Sequence, residues 1–142
     1  MMMKVLAALP RVVLGAVLLL SGIAGLLHLA PTPVFEGPAA AFMAGLTGSY
    51  LFTLVKLTEI AAGALLLSNR FVPLALAVVA PVLINIAAFH LLYAPSGLAV
   101  PIVLIAAELS LVWKYRSAFA PMLAAKAAVA PEREPRQIAA AA

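Results

Sequence analysis

The chain has no cysteine. That absence excludes disulfide exchange, thiolate nucleophiles, thiolate-held iron–sulfur clusters and cysteine zinc sites in one step. Charge is nearly as scarce: 10% of the 142 residues are charged, 66% are hydrophobic, and the mean hydropathy is +1.18. A soluble domain carries about 25% charged and about 45–50% apolar residues. So few polar groups do not cover a water-facing surface, and lipid must solvate most of the chain. The net charge of +4 does not point to nucleic acid. The basic residues stand at segment ends and form no stripe with interleaved aromatics. They read instead as topology signals and as contacts for anionic lipid heads.

What is present is a set of apolar runs at 12–30, 49–67, 71–93 and 98–113. A helix needs about 20 apolar residues to cross the hydrocarbon core. The runs predict an all-α protein, a four-transmembrane-helix antiparallel bundle, with one membrane domain over residues 1–128. A disordered Ala/Pro-rich tail is expected at 129–142. The basic start and first apolar run are also the ingredients of a cleaved signal peptide, but the run is long for one, and Pro31 is a poor cleavage context. Ser21 and Gly25 offer a small face for close helix approach. Pro31 and Pro33 force a loop, followed by a short interfacial helix over 39–46. Pro73 fits a first helical turn, whereas Pro81 predicts a kink just before Asn85. Lys4, Arg11, Arg70, Lys114, Arg116, Lys126, Arg133 and Arg136 fall on one side of this layout, and loops 31–48 and 94–97 carry no Lys or Arg. Positive charge marks the cytoplasmic side, so both termini are expected there.

The candidate site is the polar set inside these runs. Lys56 is expected about 10 Å below the outer boundary with Glu59 near the midplane, Asn85 about 12 Å deep and His90 within about 5 Å of the outer surface. A charge at such depth costs a few kcal/mol and usually pairs or lines a path. Lys56 and Glu59, three residues apart, share a helix face, and the pair is preferred over a Lys56 that snorkels outward. Asn85 has an equally good structural reading as the group that satisfies the carbonyl freed by Pro81. Glu108, near the midplane beside Ala106 and Ala107, His28 at the outer end of the first run, and Arg11 at its inner end complete the set. For His28 and His90 the default is an ordinary interfacial residue, and for Arg11 a topology charge. Paired histidines on facing helices also ligate haem, but no second-shell pattern accompanies these two, and haem is not the expectation. No metal site and no catalytic residue is assigned.

Several segments resemble the DoxX family of small bacterial four-helix membrane proteins. They are Arg11-x-x-Leu14-Gly15 with Ser21-Gly22, KLTEIAAGALLL (56–67), NRFVPLAL (69–76), APVLINIAAFH (80–90) and ELSLVWKYRSAF (108–119). The resemblance covers nearly the whole chain except the tail. It implies a bacterial inner-membrane protein, and some relatives are linked to quinone-coupled oxidation or membrane oxidoreductase complexes. Three functions follow as expectations. In the first, a redox subunit binds a quinone or another lipid-soluble substrate, its polar head held by Lys56, Glu59, Asn85 and His90. In the second, a non-catalytic anchor serves a membrane or periplasmic protein partner. In the third, a small transporter or proton path runs through Glu59 and Glu108.

Overall fold

Runs of Leu, Ala, Val and Ile whose breakers gather at their ends leave the backbone one way to satisfy its N–H and C=O groups in lipid, the helix. The computed structural model describes residues 2–29 and 33–126, whose regular structure is all helical, with no strand among them. The helices are α1 (Met2–Leu26), α2 (Gly37–Thr47), α3 (Tyr50–Leu67), α4 (Val72–Tyr93), α5 (Ala99–Lys114) and the short α6 (Arg116–Phe119). Single 3-10 turns span Pro95–Gly97 and Ala120–Leu123. Among the described residues, three segments are long and apolar enough to cross a membrane, Ala8–Leu26, Tyr50–Leu67 and Val72–Tyr93, as in a multi-pass membrane protein. The tail expected at 129–142 lies outside the described residues.

The ends of the helices are decided by capping rather than by where apolar residues run out. The expected first span, 12–30, is corrected at both ends: the helix begins at Met2, holds Pro10 in its interior, and stops at Leu26. His28 adopts a left-handed backbone (φ 52°), so its N–H donates to Gly25 O at 3.4 Å and that of Leu29 to Ala24 O at 2.9 Å. This is a Schellman ending. Leu27 and Leu29 are as apolar as the helix before them, which is why the run alone misplaces the boundary. Asn69 (φ 56°) closes α3 in the same way, with its N–H on Leu66 O and that of Arg70 on Leu65 O. Phe71 then takes φ 52°, a costly conformation for a bulky side chain, and the chain turns straight into α4. Pro73 sits at the start of α4, and the helix continues through Pro81.

In lipid the hydrophobic effect does not drive helices together, so close packing must. The tightest interface is α1 on α3. A Cβ on Gly63 would lie 2.7 Å from the backbone N of Leu19, and one on Gly22 would lie 2.8 Å from the carbonyl of Lys56. Only glycine lets these two backbones approach so closely. Helix α4 packs against α3 and α5, and α5 also returns to α1. Leu14, Leu18, Leu66, Leu76, Val79, Leu83, Leu104 and Leu111 fill the space the four enclose. Their outward faces carry Leu20, Leu54, Val78, Ile84, Ile102 and Leu109, all largely exposed. Apolar surface this continuous is unstable in water and ordinary in a bilayer. Phe35, just before α2, and Phe42 within it pack on Phe89 of α4, with ring centroids 5.3 and 5.2 Å away.

Candidate functional site

Lys56 and Glu59 lie one turn apart on the face of α3 that meets α1. The Lys56 ammonium donates to both carboxylate oxygens of Glu59, at 3.0 and 2.9 Å. A third bond runs to Ser21 Oγ on α1 at 3.3 Å, and Nζ also lies 5.6 Å from the centre of the Phe52 ring. Gly25 leaves room for the lysine stem, since a Cβ there would meet Lys56 Cδ at 2.7 Å. Glu59 is 1% exposed. All three Lys56 protons have acceptors on offer, and the Glu59 charge is matched by the nearest cation. This arrangement ties α3 to α1 and leaves no Lys56 proton without an acceptor. Ser21 and Gly25, legible as a small face, act here as a hydroxyl acceptor and a slot.

Arg11 performs a second lock at the opposite end of the same helix pair. Its guanidinium donates to the carbonyl of Leu66 and, at 3.2 Å, to that of Leu67. These belong to the last turn of α3, where Leu66 O also accepts the Asn69 N–H, and they carry the negative end of the helix dipole.

The remaining expected residues do not join the Lys56–Glu59 pair. Asn85 is exposed on the outer surface of α4, which corrects its expected place in a buried polar cluster. Asn85 follows Leu83 by two residues, about 200° around α4 from the inward stripe of Leu76, Val79 and Leu83, so helical periodicity turns it away from that core. His90 is half-buried, and its Nδ1–H donates to Ile86 O on its own helix at 2.8 Å. Its ring lies edge-on to Phe89 and against the backbone of Gly97, where a Cβ would come 2.5 Å from Cδ2. His28 is exposed beyond the end of α1. Among the described residues, no three His, Asp or Glu side chains gather as a metal would require.

Glu108 is the exception to this pattern of mutual satisfaction. It is 6% exposed, and its Oε1 is buried without a hydrogen-bond partner. It lies in the wall of a groove of about 350 Å³ between α4 and α5. Ala77 and Ala80 form the α4 side, Ile105 the α5 side, and Phe119 of α6 closes one end. The rims, Ile84 and Leu109, are 64% and 61% exposed, so the groove opens sideways into lipid. Counting 1.5 Å per residue, Glu108 lies about 9 Å from the Lys114 end of α5. This groove was not legible beforehand. Its sequence signals are Glu108 and the pair of alanines at 77 and 80, three apart on α4, which become an indentation only when α5 packs opposite them.

No family model matches the chain, and neither a curated protein nor a solved structure does.

Proposed function

We propose that this chain is a DoxX-like protein of a bacterial inner membrane, a four-span antiparallel bundle with both termini cytoplasmic, that binds a lipid-soluble molecule from within the bilayer. The fourth span of this reading is α5, whose 16 residues rise about 24 Å, with α6 bending along the inner surface. The one-sided distribution of Lys and Arg supports the orientation. One observation carries the binding function, the apolar groove between α4 and α5 that opens past the exposed rims Ile84 and Leu109. Apolar pockets of about 300–1,000 Å³ with a few convergent polar groups are the usual form of a small-molecule site. Lys56 and Glu59 already hold each other and Asn85 is exposed on α4, so the proposed site moves from the expected set Lys56, Glu59, Asn85 and His90 to this groove.

A quinone, the cofactor the family resemblance brings, fits these residues in kind. Ala77, Ala80 and Ile105 would hold its apolar body, and a bound quinone would supply two-electron redox chemistry. Purification in a mild detergent followed by mass spectrometry of extracted small molecules tests the binding function. A lipophilic compound retained by the native chain and lost from Ala80→Trp, which fills the groove, is the expected result. Equal retention by both proteins would overturn it. The exposed Asn85 amide favours a second reading, an anchor whose α4 surface meets a protein partner; a stoichiometric partner lost from Asn85→Leu would favour it.

A further inference from the structure

Helix α4 leaves one face uncovered. Leu74, Val78, Pro81, Asn85, Ala88 and Leu92 are all exposed, and they recur along the helix at alternating steps of four and three residues. That spacing is the seam of a coiled coil, which keeps one stripe turned toward a partner helix over its whole length. From Leu74 to Leu92 the stripe rises about 27 Å, most of the hydrocarbon thickness of a bilayer. Asn85 stands within it. Among the described residues no hydrogen bond reaches the Asn85 side chain. Counting back from Tyr93, it lies about 12 Å below that end of α4, where acyl chains offer neither donor nor acceptor. Lipid covers the leucines, valine and alanine without loss, but it leaves the amide unsatisfied.

The chemistry of the stripe defines what satisfies it. An amide is self-complementary: its NH2 donates and its oxygen accepts, so two facing amides close hydrogen bonds with each other. The stripe carries no Lys, Arg, Asp or Glu, so two such stripes bring no like charges together. Copies inserted with one orientation also hold Asn85 at one depth. A two-fold axis along the membrane normal then sets the two amides opposite each other. A different protein would need a matching polar group at a matching height, whereas a second copy has it by symmetry. In coiled coils a single Asn in an apolar seam fixes register and strand number.

We infer that a second copy of this chain docks on this stripe, α4 against α4 in parallel, with the two Asn85 amides hydrogen-bonded at the seam. This rests on the reading of the α4 surface as a protein contact and names the partner. Ala88, three residues beyond Asn85, is small enough to let the two backbones approach, and the seven-residue repeat gives the pair a left-handed crossing. The groove residues Ala77, Ala80 and Ile84 lie about a quarter-turn round α4 from the stripe, so pairing leaves the groove open to lipid.

The test uses the full chain, purified and reconstituted into liposomes, where no other protein is present. Because the chain has no cysteine, Val78→Cys and Ala88→Cys each place one thiol on the stripe, and Ile102→Cys places one on the exposed face of α5. A disulfide needs Cα atoms within about 7 Å. Oxidation with copper phenanthroline should therefore give covalent dimers from the two stripe variants and not from Ile102→Cys. Energy transfer between fluorophores on Ser96→Cys, followed as lipid dilutes the protein, reads the association itself. Asn85→Leu should weaken it about tenfold, and Asn85→Gln, which keeps a donor and an acceptor, should weaken it less. Dimers formed equally from Ile102→Cys, or association that Asn85→Leu leaves unchanged, overturn the inference. A reconstituted chain that stays monomeric, while Val78→Cys in cell membranes crosslinks to a different protein, overturns the second copy and leaves the protein-contact reading of α4 standing. No crosslink to any chain in either setting overturns both, and the groove is judged separately by its retained ligand.

Discussion

Glu59 and Glu108 are both carboxyls buried on apolar helices, yet their surroundings differ in kind. Glu59 has Lys56 across both oxygens and is closed to other partners. Glu108 has an oxygen that no donor reaches. The first is a fastener and the second an open valence. Removing one member of a buried ion pair typically costs about 3–5 kcal/mol, whereas removing both is often close to neutral. Glu59→Ala should accordingly lower the thermal midpoint in detergent by more than the double change with Lys56→Ala. Additive losses would mean that the pair contributes no coupling. Lys56→Ala alone should also free Ser21, so Ser21→Ala is expected to matter in the native background and not in that one.

Among elements, the α1–α3 pair is held at three levels along its length. Arg11 caps one end, the glycines set the backbone separation in the middle, and Lys56 with Ser21 ties the far end. Between α4 and α5 the groove opens. Gly63→Leu should force α1 away from α3, because the new side chain would meet backbone atoms rather than a movable side-chain tip. A cysteine pair placed at Leu19 and Gly63 neighbours, one on each helix, should crosslink readily in the native background and poorly in Gly63→Leu. Unchanged crosslinking would show that the helices do not depend on this close approach. The element ends repeat one lesson. Leu27 and Leu29 continue the apolar pattern of α1, but the left-handed turn at His28 ends the helix, and no hydropathy signal records a backbone dihedral.

For the whole molecule, the unpaired choice is orientation. Ser68 to Arg70 connects α3 and α4 on one side, and Pro95–Gly97 connects α4 and α5 on the other. Because the chain has no native cysteine, single cysteines at Asn69 and Ser96 report their own accessibility without background. With both termini cytoplasmic, an impermeant thiol reagent added to intact cells should label Ser96→Cys and spare Asn69→Cys. The reverse pattern would invert the protein in the membrane. The same orientation places the Glu108 groove toward the inner leaflet and the Lys56–Glu59 pair toward the outer one.

Helical class, the apolar runs of α1, α3 and α4, and the pairing of Lys56 with Glu59 were determined by the sequence itself. Each depends on spacing along one chain: about 20 apolar residues for a crossing, three residues for a shared helix face. Only the tertiary structure decided the direction in which Asn85 faces, the second acceptor that Ser21 gives Lys56, the carbonyls that Arg11 caps and the groove in which Glu108 stands. Those properties depend on how one helix is rotated against another. On helices that are apolar nearly all round, hydropathy does not encode that rotation, because lipid and protein interior are equally apolar. It is set by where backbones can touch, at Gly22 and Gly63, and the burial of every other side chain follows from that contact.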